Sequence, residues 1–264
     1  MTNLARKSPV PEAASEAVAI RIDGVTARYG QGNNQNNVLD NVSFDVKKGE
    51  VFGLIGLNGV GKTTLIKIIL GLMEATQGSV SLFGSGILDE EAKARIAYLP
   101  EKFEPPFFLS GLEFVKFSLD LYKRPFREED VLAAADRVSL SREALRRRVN
   151  TYSKGMRQKI GLMSTWLTGC SLLILDEPMS GLDPRARVLV KDEIVACRNR
   201  GMTVFLSTHI LSDMDELCDR IGVIHDKSLR FLGKPAELRE KTKNDSLERA
   251  FLKIIEDSTR IYES

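Results

Sequence analysis

Apolar and polar positions alternate differently along successive parts of the chain. Val18–Tyr29 alternates with a period of two, which predicts a half-buried strand with Ile20, Ile22 and Val25 on its inner face. A polar loop, residues 30–37, separates it from a second strand-like stretch at 38–46, and Lys47-Lys48-Gly49-Glu50 reads as a tight turn. The pattern then changes. Val51–Ile55, Leu172-Leu173-Ile174-Leu175 and Thr203-Val204-Phe205-Leu206-Ser207 are short apolar runs, as expected of strands buried on both faces of a parallel sheet. Residues 65–72 follow helical spacing, 78–83 form a short strand, and 92–99 lead to Pro100-Glu101. Residues 102–166 turn helical, with Phe103, Phe107, Phe108, Phe114, Phe117 and Tyr122 crowded into the first half. Residues 219–233 predict a hairpin turning at Asp226-Lys227-Ser228. Leu247, Phe251, Ile254 and Ile255 recur at helical spacing and predict an appended helix. Residues 1–17, rich in Ala, Ser, Pro and Glu, read as a disordered tail.

Composition narrows the class. The 264 residues suit one large domain or two lobes sharing a core, and 43% hydrophobic with 28% charged residues is ordinary for a soluble globular protein. A net charge of +2 argues against a broad nucleic-acid-binding face. Cys170, Cys197 and Cys218 are scattered without a C-x-x-C pair, so buried structural thiols in a reducing compartment are expected. No apolar run approaches the roughly 18 residues of a membrane span. Arg6 and Lys7 are followed by Pro9-Val10-Pro11-Glu12 instead of an apolar core, so no signal peptide is expected.

The chemistry enters at Gly56-Leu57-Asn58-Gly59-Val60-Gly61-Lys62-Thr63-Thr64, a G-x-x-x-x-G-K-T motif with a predicted strand before it and a predicted helix after it. Phosphate oxygens need several backbone N–H donors converging at close range. Gly56, Gly59 and Gly61 keep the backbone bare and free to take positive φ. The helix beginning near Lys62 directs its positive end at the phosphates. Lys62 supplies a mobile charge for the β- and γ-phosphates, and the Thr63 hydroxyl can ligate Mg²⁺. The motif alone implies a nucleoside triphosphate and does not separate kinases, GTPases, motors and transport ATPases.

A second group of residues narrows this. The buried run ending in Asp176 places a carboxylate where it can hold Mg²⁺ through water, and Glu177, one residue on, can polarise an attacking water. His209, at the tip of another core strand, lies on the edge of the sheet where ligands bind and can contact the γ-phosphate or the water. Trp166 and Met163 read as core. Arg146-Arg147-Arg148 reads as a solvated face.

Tyr152-Ser153-Lys154-Gly155-Met156-Arg157-Gln158-Lys159 resembles the signature motif of the ATP-binding cassette (ABC) family, in the variant with Lys and Met in the third and fifth places. Further segments fall into register with that family. Ser180-Gly181-Leu182-Asp183 resembles its D-loop, Thr208-His209 its H-switch, and Tyr98-Leu99-Pro100-Glu101 its Q-loop, with Glu101 where Gln is usual. Tyr29 matches the aromatic that stacks on adenine. Ser153 matches the serine that contacts the γ-phosphate, and Gly155 the second glycine of the signature. The resemblance covers about residues 18–233. The signature variant, with Ser246-Leu247-Glu248-Arg249-Ala250-Phe251-Leu252, looks most like bacterial cassettes of multidrug, sodium and bacteriocin-immunity exporters.

The resemblance implies an α/β fold: a phosphate-loop NTPase core with a parallel sheet, an N-terminal antiparallel β subdomain and an inserted α-helical subdomain. Residues 18–100 and 170–233 would form the core with its β subdomain, 101–169 the helical subdomain and 234–264 a C-terminal helical extension. It implies ATP and Mg²⁺ as ligands, with Thr63, Asp176 and Glu101 toward the metal. It implies two cassettes closing head to tail over two ATP molecules, each site combining the phosphate loop of one copy with Ser153 and Gly155 of the other, and Asp183 near by. The partners would be an identical or homologous cassette and a separate membrane-spanning subunit, at the cytoplasmic face of the membrane, with no nucleic acid. A soluble cassette ATPase acting on ribosomes or DNA is the alternative. Such proteins carry two cassettes, or a coiled-coil or zinc-binding insertion, which this sequence lacks. A phosphoryl-transferring kinase does not account for the signature motif.

Overall fold

The computed structural model describes residues 17–29 and 36–260. The expected tail, up to residue 16, and residues 30–35 of the polar loop lie outside the described residues. The fold is α/β with two sheets. β1 (Val18–Tyr29) and β2 (Asn36–Lys47) pair antiparallel, with Ile20 opposite Val46, Ile22 opposite Phe44 and Val25 opposite Val42. β3 (Val51–Ile55) leaves for the other sheet. β4 (Gln77–Leu82) takes the free edge of β1, and β5 (Ser85–Gly86) completes the order β2-β1-β4-β5. The second sheet adds β6 (Ile96–Leu99), β7 (Leu172–Asp176), β8 (Thr203–Thr208), β9 (Arg220–His225) and β10 (Ser228–Gly233), in the order β10-β9-β3-β8-β7-β6. Its strands run parallel except β10, which turns back on β9 as the expected hairpin, so the sheet is mixed.

The helices are α1 (Lys62–Ile69), α2 (Glu90–Lys93), α3 (Gly111–Leu121), α4 (Glu128–Arg137), α5 (Arg142–Arg146), α6 (Lys154–Leu167), α7 (Pro184–Asn199), α8 (Leu211–Leu217), α9 (Pro235–Thr242) and α10 (Leu247–Arg260). α3 to α6 lie between β6 and β7. Their starts are written in the sequence: Ser110 and Glu113 form a reciprocal capping box on α3, Ser141 caps α5 and Ser153 caps α6.

Two cores explain why the central strands read as uninterrupted apolar runs. Successive strand side chains point to opposite faces. Phe52, Leu54, Ile174 and Phe205 face the antiparallel sheet and meet Ile20, Ile22, Phe44 and Val46. There the rings of Phe44, Phe52 and Phe205 stack in a column, with centroids 5.1 and 5.7 Å apart. Val51, Ile55, Leu173, Leu175 and Leu206 face the other way and meet Phe114, Ile160, Met163 and Ile194 from α3, α6 and α7.

α10 differs from an appendage. Leu247, Ala250, Phe251 and Ile254 are buried and join this second core with Met214 and Leu217 of α8. Their i, i+3, i+4, i+7 spacing makes one continuous stripe, and α8 covers it. β2 begins at Asn36, two residues before the expected strand, and so absorbs the end of the polar loop. α2 and β5 carry no periodic signal because each is shorter than two helical turns or two strand repeats.

Candidate active site

The parallel register sets Ile55 beside Thr208, Asp176 beside Ser207 and Leu99 beside Leu175. Four strands therefore end along one edge, the place where open α/β sheets bind ligands. A cleft of about 570 Å³ opens there. Asn58, Gly59, Gly61, Lys62, Thr63 and Thr64 form one wall, and Asp176, Glu177, Ser180 and His209 the floor and opposite side. Glu101 and Lys102 come from the loop after β6, with Tyr29 and Val38 from the antiparallel sheet.

The glycines of the loop serve different ends. Gly61 has φ of +107°, and a Cβ there would stand 2.8 Å from the Leu39 side chain and 2.9 Å from the Val38 carbonyl. Gly56 does not take a positive φ, contrary to expectation. A Cβ on it would meet Val60 at 2.6 Å and the carbonyl of Ile224 at 2.7 Å, so β9 is what demands a bare backbone there. No side chain caps α1, and its leading N–H groups are left for an anion.

Lys62 is buried and folds back over the loop, donating to the carbonyls of Gly56 at 2.6 Å and Leu57 at 3.2 Å. Burial pushes its pKa down, against the pull of Glu177, Asp176 and Glu101. Thr63 Oγ1 donates to Asp176 Oδ2 at 3.1 Å, and Ser207 Oγ donates to Asp176 Oδ1. A hydroxyl and a carboxylate side by side on the cleft are hard oxygen donors and fit Mg²⁺. Among the described residues no three His, Cys, Asp or Glu side chains cluster closely enough to hold a metal by themselves.

Glu177 is buried and sits at φ of +52°, a left-handed backbone that non-glycine residues rarely adopt. Its N–H donates to the Ser207 carbonyl at 3.1 Å. Its carboxylate accepts from Thr208 Oγ1 at 3.2 Å and lies 3.0 Å from His209 Nδ1. His209 is half exposed and lines the cleft. Thr208 was read only as part of the Thr208-His209 segment and Ser207 only as a strand residue, although two hydroxyls closing an otherwise apolar strand are a readable signal. Tyr29 is 46% exposed at the rim, its hydroxyl 3.3 Å from Thr64 Oγ1 and 3.4 Å from Met73 Sδ.

Ser153, Gly155 and Asp183 do not line this cleft. Ser153 Oγ accepts the Met156 N–H at 3.3 Å and so caps α6. Asp183 Oδ1 accepts the Ala186 N–H at 2.9 Å at the start of α7, and that bond holds its carboxyl below the usual range. Ser153 and Asp183 are both exposed, and Gly155 packs beside the Gly181 carbonyl. Leu57, 47% exposed, does not line the cleft, and neither do Gly56 and Val60. Trp166, Met163 and all three cysteines are buried, and Arg146 is solvated.

The family profile described as ABC transporter matches residues 39–180. The chain belongs to the ABC transporter family. An uncharacterized ABC transporter ATP-binding protein of Synechocystis sp. is 38% identical over 209 residues, covering 78% of this chain and 59% of the relative. The Nod factor export ATP-binding protein I of Rhizobium meliloti is 35% identical over 229 residues, covering 84% and 66%. The chain spans 59%, 64% and 63% of the length of three curated relatives it matches. A solved ATP-binding subunit of an ABC transporter superposes with a TM-score of 0.79 at 30% identity, covering 89% of this chain and 99% of that one. A dimeric ATP-binding cassette, solved in a post-hydrolysis state with ADP and Pi, shares the fold at a TM-score of 0.74 and 22% identity, covering 81% and 98%. The cleft of this ABC cassette thus lies on a fold shared with ATP-binding subunits.

Proposed function

We propose that this ABC cassette binds Mg²⁺-ATP in the cleft and hydrolyses it to drive a separate membrane-spanning subunit. The observation that carries the reading is the row of groups across the cleft: Lys62 on the phosphate loop, Thr63 against Asp176, and Glu177 held by Thr208 and His209. In this reading the loop from Gly56 to Thr64 cradles the phosphates, Lys62 reaches the β- and γ-phosphates, and Tyr29 stacks on the adenine. Thr63 and Asp176 hold Mg²⁺, with Glu101 toward the same ion, and the ion neutralises charge on the phosphates when bound. Glu177 takes the proton of the attacking water. His209 keeps the carboxylate aimed and faces the γ-phosphate.

Ser153, Gly155 and Asp183 are accounted for by a second cassette, identical or closely homologous. They stand at the N-terminal ends of α6 and α7, outside the cleft of their own chain, where they can complete a partner's site. The dimeric state of the ADP- and Pi-bound cassette supports this arrangement. Export is the favoured direction, supported by the Nod factor export relative. No described helix is long and apolar enough to cross a membrane, so attachment at the cytoplasmic face would run through the membrane subunit. Residues 18–100 with 170–233, then 101–169 and 234–264, are the proposed core, helical subdomain and C-terminal extension.

Phosphate release from Mg²⁺-ATP by the purified chain tests the reading. Glu177→Gln should lower turnover by roughly 10²- to 10⁴-fold while ATP still binds. Equal rates in the two proteins would remove Glu177, and with it this mechanism.

A further inference from the structure

Glu177 holds an unfavourable backbone conformation that persists only where its surroundings enforce it. On its N-terminal side β8 does so, through the bond from the Glu177 N–H to the Ser207 carbonyl. On its C-terminal side the next residue is Pro178, which has no N–H to tie the turn down. Within the turn the Ser180 N–H donates to the Glu177 carbonyl at 3.0 Å, and a second tie, on the Pro178 carbonyl, comes from another part of the fold. Gln158, on the second turn of α6 and 5% exposed, donates from Nε2 to the Pro178 carbonyl at 2.9 Å, and the same nitrogen lies 3.5 Å from the Glu177 carbonyl. Pro178 is buried, so its carbonyl depends on that donor.

We propose that Gln158 is a positioning residue for hydrolysis, clamping the turn that aims Glu177 and tying that aim to the helix that begins at Ser153. This rests on Glu177 being the base. α6 is fastened to the same turn a second time, since Lys154 Nζ donates to Ser180 Oγ at 3.2 Å and the Lys154 stem lies over Gly181. A shift of α6, whose leading end carries Ser153 and Gly155, therefore moves the Pro178 carbonyl and the backbone of Glu177 with it. Neither Gln158 nor Lys154 lines the cleft, so both act through Glu177.

The test is steady-state ATP hydrolysis by the full chain carrying Gln158→Met, which keeps length and packing but removes the donor. Turnover should fall roughly 10- to 100-fold, the cost of misplacing a reacting group by about an ångström, with KM for ATP within about twofold of native. Gln158→Glu provides a second variant of the same shape. Its carboxylate repels the carbonyl, and its protonated form donates again, so its rate relative to native should recover as pH falls. Adding either change to Glu177→Gln should cost nothing further. Native turnover in both single variants overturns the proposal, as does a parallel loss of kcat, ATP affinity and melting temperature in both with no pH recovery. If instead Glu177→Gln hydrolyses at the native rate, the assignment of the base has failed, an outcome distinct from these.

Discussion

His209 Nδ1 lies 3.0 Å from the Glu177 carboxylate, which also accepts from Thr208 Oγ1 at 3.2 Å. The two residues come from the ends of neighbouring parallel strands, where Asp176 is beside Ser207 in register. A base oriented at both oxygens loses little freedom when water arrives. His209→Ala should therefore lower kcat by about 10- to 100-fold with little change in KM, as expected of a group that orients the base. Glu177→Gln should in addition accumulate an ATP-bound dimer, because in the proposed paired site ATP would bridge the two cassettes and would not be cleaved. Light scattering at saturating Mg²⁺-ATP measures this directly, and a strict monomer would count against the paired site.

In the proposed reading Lys62 sets the affinity. Its ammonium rests on two loop carbonyls, and burial already disfavours its charge, so an incoming phosphate displaces weak partners and gains a strong one. Native protein should be stabilised by Mg²⁺-ATP by about 2.7 kcal/mol at a hundredfold excess over Kd. Lys62→Ala should show almost none of that shift in melting temperature and should not hydrolyse ATP. A native-sized shift in the variant would remove Lys62 from the site.

Stability at alkaline pH follows from burial. Cys197 is pushed up to about 11, and Tyr98, Tyr122 and Tyr152 to about 12, in each case by desolvation first. Burial raises Cys170 and Cys218 as well. In the unfolded chain thiols ionise near ~8.5 and tyrosines near ~10. Between those values and the folded ones the unfolded state binds fewer protons, so unfolding free energy falls as pH rises. Lys62 and Lys159, shifted down, act in the opposite sense over their own window, because there the folded state has already lost protons that the unfolded state keeps until about pH 10.4. That sign is the reverse of the thiols and tyrosines, so the two lysines offset part of the loss, as two groups against six. The urea midpoint should drop steadily above about pH 8.5. Below that pH a thiol-exchange reagent should modify none of the three cysteines until the chain is unfolded.

How much of this was legible in the sequence depends on the kind of constraint. The phosphate loop and Asp176-Glu177 were legible because the chemistry requires those residue types at that spacing and on those flanks. His209, Thr208 and Gln158 all stood in segments picked out by sequence, but their contacts with Glu177 were not legible, since they arise through strand register and helix packing. The left-handed backbone of Glu177 was hidden because glycine, its usual marker, is absent there. Gly56 was legible as a glycine, but its reason is the approach of the Ile224 carbonyl from a strand far along the chain. The periodicity of α10 announced an apolar stripe without saying that α8 would cover it.

The aromatic cluster after Glu101 separates in the structure into inner and outer rings. Phe114 is buried, and Phe103 packs edge-on against it at 5.6 Å. Phe107 and Phe108 are 60% and 73% exposed, on a stretch that contains Pro105 and Pro106 and stays out of helix until α3 begins at Gly111. Phe117 and Leu121, one turn apart on α3, are exposed as well. Large rings left in solvent, on the stretch that follows the cleft-lining Glu101 and Lys102 in the chain, are what a docked helix of a membrane subunit would cover, since aromatic anchors dominate such contacts. Phe107→Ser and Phe108→Ser should each leave the melting temperature and basal ATP hydrolysis of the isolated chain near native. At least one should abolish co-purification with the membrane subunit. Phe114→Ala, by contrast, should cost about 3–5 kcal/mol of stability, as a buried ring does. Unchanged assembly in both serine variants would move the docking site elsewhere. Unfolding in both would show that the outer rings belong to the core after all.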